Sequence, residues 1–257
     1  MNTRPLLFCL PALVALGFTS TGPARAAETQ CFTGYAYHLE DGEYAYSEHH
    51  EQSIIDGETE SWKVTYRSPA GEIIARKTLD FSANPFVPLY QMNMPGSGYM
   101  EGIRREDGQW QMLRREGEDA ALETEDFEPN DRMAADSGFH PFVVSRFDSL
   151  MQGDTVKFRF AVAGRQSVIK MKSRRIDDGR FEGRPTVRFE TELDMFLVSF
   201  LVDSLVLAYH EQTRELKEYR GLGNMHDASG DPYPVRVSYY SEKPAEADRV
   251  STNCGGA

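Results

Sequence analysis

The sequence predicts a β-dominated α+β fold: a large, curved antiparallel sheet, or half-barrel, with one or two short helices on its concave face. Three observations predict it. Alternating stretches rich in Val, Ile, Tyr, Phe and Thr recur at intervals of about 8–12 residues, the spacing of an all-β array. Turn signals separate them: Asp41-Gly42, Ser68-Pro69-Ala70-Gly71 and Asp107-Gly108. One segment changes period, since Phe139, Phe142, Val143, Phe147 and Leu150 share a helical face.

Taken in order, Tyr35 to Ile55 reads as a hairpin around Asp41-Gly42. A two-residue loop would pair Leu39 with Tyr44, Tyr37 with Tyr46 and Tyr35 with Glu48, gathering the tyrosines on one face. Trp62–Arg67 and Glu72–Leu79 make a second hairpin, and Tyr90–Met94 a short strand. Tyr99–Glu106 and Gln109–Glu116 make a third hairpin around Asp107-Gly108. Its register sets Arg105 against Trp110, Ile103 against Met112, and Glu101 against Arg114. The acidic stretch Glu116 to Asp136 reads as a loop with one strand near Ala121. The helix follows, with Ser137 as its cap, Pro141 in its first turn and Gly153 at its end.

Thr155–Ala163 then alternates as a half-buried strand. Ser167–Ile176 and Arg180–Glu192 flank a turn at Asp177-Asp178-Gly179. Met195–Tyr209 is the longest apolar run after the N-terminal segment. It is too short and too interrupted to span a bilayer, which takes about 20 apolar residues. Leu205–Glu211 and Leu216–Arg220 form a hairpin across residues 212–215, and Val235–Tyr240 is the last strand.

The N-terminus reads as a secretory signal: Arg4, an apolar core from Leu6 to Phe18, and Ala24-Arg25-Ala26 as the small-x-small cleavage pattern. Residues 1–26 are thus expected to be removed, leaving 27–257 as a single β-rich domain, exported and soluble in the periplasm. Phe8 before Cys9 is a poor fit to a lipoprotein signal, so no lipid anchor is expected. Cys31 and Cys254 remain, one at each end, and an oxidising compartment makes a disulfide between them the natural reading. The net charge of −12 argues against nucleic acid and anionic membrane surfaces as partners.

No motif spells out a reaction. G-x-S-x-G, H-E-x-x-H and P-loop patterns are absent, and Gly221-Leu222-Gly223-Asn224 reads as a turn or bulge. His49 and His50 are adjacent, so on a strand they point to opposite faces and cannot share a metal. No cofactor, metal or catalytic residue is assigned. The apolar supply is the unusual feature. Phe142 and Phe147 on the helix, with Phe196 and Phe200 in the later run, are expected to face one space between helix and sheet. Two readings stay open for it: an ordinary filled core, or an apolar ligand cavity.

The helix from Phe142 to Leu150, the strand Asp154–Ala163 and the pattern Leu207-Ala208-Tyr209…Thr213-Arg214…Leu216…Tyr219…Gly221 resemble uncharacterised secreted proteins of Gram-negative bacteria. These are distantly similar to the half-barrels of periplasmic lipoprotein carriers and outer-membrane lipoprotein receptors. The resemblance covers about residues 139–240 and implies a curved sheet, helices in its mouth and an apolar ligand site. The expected function is therefore non-enzymatic binding or carriage of a lipid or other apolar molecule. The alternative is a structural or interaction protein of the cell envelope with a filled core.

Overall fold

The computed structural model describes residues 27–194 and 204–249. The chain is strand-dominated, 59% strand against 10% helical, in one mixed sheet of 15 strands that does not close into a barrel. The predicted fold class is thus the observed one.

The sheet is two meanders joined at the middle. Strands β1 (Glu28–His38), β2 (Tyr44–Ile55), β3 (Glu58–Arg67), β4 (Ile73–Asp80), β5 (Leu89–Met94), β6 (Tyr99–Glu106), β7 (Gln109–Arg115) and β8 (Glu123–Phe127) each pair with the one before. A short strand β9 (Met133–Ala135), a 3₁₀ turn at Asp136–Gly138 and helices α1 (Phe139–Ser145) and α2 (Phe147–Met151) follow. Strands β10 (Val156–Val162), β11 (Ser167–Phe181), β12 (Arg184–Leu193), β13 (Leu205–His210), β14 (Leu216–His226) and β15 (Pro232–Ser238) meander back until β15 pairs with β1. The only parallel pair among the described strands is β9 with β10. That is the pair whose connection carries the helices, as a parallel crossover requires.

Alternation defines the inner face. Ala36 pairs with Tyr46, Glu48 with Tyr66, Val64 with Lys77 and Tyr90 with Ile103. On the other side Val187 pairs with Tyr209 and Phe189 with Leu207. Two apolar clusters fill this face, one under β1–β8, β14 and β15 and one between the helices and β10–β13. Strand β9 lies between them. Ala134 packs into the helix cluster, while Met133 and Ala135 belong to the other. The sheet therefore curls until its β9–β10 edge is tucked against its opposite half. Along that seam Ala135 donates its backbone N–H to the Phe86 carbonyl at 2.9 Å, and Arg114 Nη1 donates to the Gly164 carbonyl at 3.2 Å.

Several local readings hold. Asp107 and Gly108 both have positive φ, 51° and 87°, as a type I′ turn demands. The register beyond them is as expected, with Arg105 stacked 5.8 Å from the Trp110 ring centroid. Others are corrected. At the first hairpin only Gly42 has positive φ, so a two-residue type I′ turn cannot form. Leu39–Gly42 make a longer loop, closed by His38 N–H to the Glu43 carbonyl at 2.9 Å. A bulge at Ala36/Tyr37 then pairs Tyr37 with Tyr44 and Ala36 with Tyr46. This slip turns Tyr46 and Glu48 inward, away from Tyr35 and Tyr37.

Asp177-Asp178-Gly179 is not a turn. It follows a bulge inside β11, and the chain reverses instead at Glu182-Gly183, with φ of 48° and 79°. The acidic stretch holds two strands, β8 and β9, rather than one. The helix is broken at Arg146 (φ −111°) into α1 and α2, and Ser137 is not its cap. The Ser137 hydroxyl donates to Asp136 instead, at 2.7 Å.

Candidate functional site

The helix pair places Phe142 and Phe147 as the periodicity predicts. Both face the sheet, 1% and 2% exposed, in one cluster with Phe139, Val143 and Leu150. Phe142 meets Phe158 at 4.9 Å between ring centroids and Phe86 edge-on at 5.6 Å. Phe147 meets Phe189 edge-on at 5.2 Å and Tyr209 at 5.9 Å. Burying each such ring stabilises the fold by roughly 1.5–3 kcal/mol. Phe196 and Phe200 lie outside the described residues, as does Cys254. The sheet does set β1, which carries Cys31, beside the C-terminal strand β15.

An open depression of about 480 Å³ adjoins this cluster, lined by Asp131, Arg132, Phe142, Arg146, Thr155, Val156 and Lys157. Phe142 is its floor and at the same time a core residue. The Arg146 guanidinium lies 5.7 Å from the Phe142 ring centroid, so the rim is cationic where the floor is aromatic.

Three charged residues occupy inward positions that the sequence reading passed over. Lys77 Nζ donates to both carboxylate oxygens of Asp136 at 2.9 Å, with side chains 2% and 6% exposed. This buried ion pair crosses the seam, tying β4 to the turn after β9. Asp136 adopts a positive φ of 44°, which Asp tolerates better than most residues. Beside it, Glu101 accepts hydrogen bonds from Tyr90 at 3.1 Å and Tyr99 at 2.8 Å. Burial raises the Glu101 pKa above the usual carboxylate range, because the charged form is desolvated. Glu101 thus bonds tyrosines, and its cross-strand neighbour Arg114 pairs with Glu116 and Glu123.

The third is Glu48, with Oε2 3.3 Å from His50 Nε2. Trp62 Nε1, a donor only, gives its hydrogen to His50 Nδ1 at 3.1 Å, so the neutral ring carries its proton on Nε2, toward the carboxylate. The approach has an ion pair's distance without hydrogen-bond alignment. A histidine–carboxylate dyad is the usual core of acid–base catalysis, but this one is buried, Glu48 5% exposed. His50 is 7% exposed and stacked 4.5 Å under Phe32, and the depressions of about 480 and 460 Å³ are lined by other residues.

The histidines are otherwise dispersed. His49 points away from His50 and meets the Ser47 hydroxyl at 2.9 Å, while His140 stacks on Tyr209. Burial lowers His140 to about 4. Among the described residues no group of His, Cys, Asp and Glu is placed to hold a metal. Gly221 to Asn224 lies in β14, with an irregular register after Leu222, and Asn224 donates to the Tyr66 hydroxyl at 3.1 Å.

Among the described residues no helix is long and apolar enough to cross a membrane. Compared with protein families, curated proteins and solved structures, the chain matches none.

Proposed function

We propose that this protein is a non-enzymatic binding or carrier protein of the periplasm for a lipid or another apolar ligand. The observation that carries the reading is the position of Phe142. One ring is both the floor of an open, cation-rimmed depression and a wall of the apolar cluster behind it. The sheet-facing sides of α1 and α2 offer mainly hydrocarbon, Phe139, Phe142, Val143, Phe147 and Leu150, with the His140 imidazole stacked on Tyr209. Periplasmic location is supported by the signal-like N-terminus, and a Cys31–Cys254 bridge by the oxidising compartment.

The test is organic extraction of protein purified from its native envelope, followed by mass spectrometry. The reading expects a lipid at near-stoichiometric yield, and lipid at trace level would count against it. A second reading, a structural or interaction protein of the envelope, is favoured by the close packing of Phe142 and Phe147 against Phe158 and Phe189. In that case the helices are core and nothing enters.

A further inference from the structure

The outer face of β10 and β11 carries an arrangement that stability alone does not explain. Lys157 sits directly across from Lys172, and Arg159 directly across from Lys170. Like charges in cross-strand register stand about 5 Å apart at Cβ and destabilise a sheet. Here two such pairs are consecutive. Arg132 lies near them, lining the same depression as Lys157, and its carbonyl accepts the Arg159 backbone N–H at 2.8 Å. Three carboxylates lie close: Asp194 pairs with Lys157 at 3.1 Å, Glu192 pairs with Lys172 at 3.2 Å, and Asp131 precedes Arg132. Arg132, Arg159 and Lys170 are exposed and have no ion pair among the described residues. This in a chain of net charge −12 is a local inversion of sign.

We infer that this cationic array is a docking surface for the headgroups of an anionic phospholipid bilayer. The chain's overall negative charge does not forbid it, because exposed charges beyond about 8–10 Å are screened at physiological salt. The choice of lipid over an acidic protein rests on the proposed carrier function. Lys157 and Arg132 border the depression floored by Phe142, so docking would bring that opening to the membrane. Protection of a free sheet edge is the competing explanation. It fits Lys157, because β9 covers only Arg159–Ala161 of β10. It does not fit Lys170 and Lys172, which lie on an interior strand.

The experiment is sedimentation of the purified full chain with vesicles of phosphatidylglycerol and phosphatidylcholine, against phosphatidylcholine alone. Binding independent of charge appears equally in both, and any contribution of the N-terminal segment, which carries Arg4 and Arg25, is unchanged in the double variant below. The expected result is a preference for the anionic vesicles that 0.5 M salt abolishes. Arg159→Gln/Lys170→Gln should weaken that binding roughly 25-fold, at about fivefold per cation. The same variant should melt no lower than wild type, because it relieves a repulsion. Equal binding to both vesicle types, or unchanged binding by the double variant, would overturn the inference. So would binding to polyglutamate without binding to vesicles. If anionic vesicles bind but the protein yields no lipid on extraction, docking stands and the carrier reading fails. Lipid in the extract with no vesicle preference gives the reverse.

Discussion

Replacing Lys77 by Met tests the seam that holds the curled sheet. Lys77 and Asp136 are almost wholly buried and share two 2.9 Å hydrogen bonds. Removing the ammonium leaves the carboxylate with the Ser137 N–H and hydroxyl at 2.6 and 2.7 Å, and no cation in contact. Breaking a buried pair in this way costs about 3–5 kcal/mol. In a domain of this size that lowers Tm by roughly 6–20 °C. Asp136→Asn should cost a similar amount by stranding the ammonium, and Asn tolerates the positive φ, so backbone strain adds little. The double variant removes both charges and should be more stable than either single one. Urea unfolding followed by fluorescence of Trp62 and Trp110, both buried in this half of the sheet, reads the effect. Single losses below about 1 kcal/mol, or losses that simply add in the double variant, would refute the seam argument.

Phe142→Ala should cost about 3–5 kcal/mol by opening a cavity beside Phe86 and Phe158, measured by urea unfolding. On the carrier reading it also weakens binding of an apolar fluorescent probe, and on the filled-core reading there is no binding to lose. His140, lowered to about 4 by burial, binds its proton more readily in the unfolded chain, so its contribution is lost as pH falls from about 6.5 toward 4. His140→Gln should flatten the acid side of the stability–pH curve in that window. Glu101 acts with the opposite sign: its raised pKa means stability is lost as pH rises above the ordinary carboxylate range, and Glu101→Gln should remove that loss. Thiol titration of denatured, unreduced exported protein should find no free thiol if Cys31 and Cys254 are joined.

Much of this fold was written in local patterns. Asp107-Gly108 fixed both turn and register, and the spacing of Phe139, Phe142 and Phe147 named the helix face, because each depends only on near neighbours. Asp41-Gly42 and Asp177-Asp178-Gly179 misled for one reason. The same residues serve a tight turn, a longer loop or a bulge, and pairing with distant strands chooses among them. The buried charges are legible in the alternation. Lys77 alternates with Ala75 and Leu79, Glu48 with Tyr46 and His50, and Glu101 with Tyr99 and Ile103. Period two alone puts all three inward. What no local pattern holds is the partner, since Asp136 lies 59 residues from Lys77 and meets it only when the sheet curls.

The central claim is that an apolar ligand enters behind Phe142, and thermal unfolding in the presence of envelope lipid extract tests it most directly. A ligand that binds only the folded state stabilises it by about 2.7 kcal/mol at a hundred times its Kd, rising with the logarithm of concentration. The account predicts such a rise in Tm for the wild-type chain and a weaker one for Phe142→Ala. A Tm that does not move at any lipid concentration would contradict it.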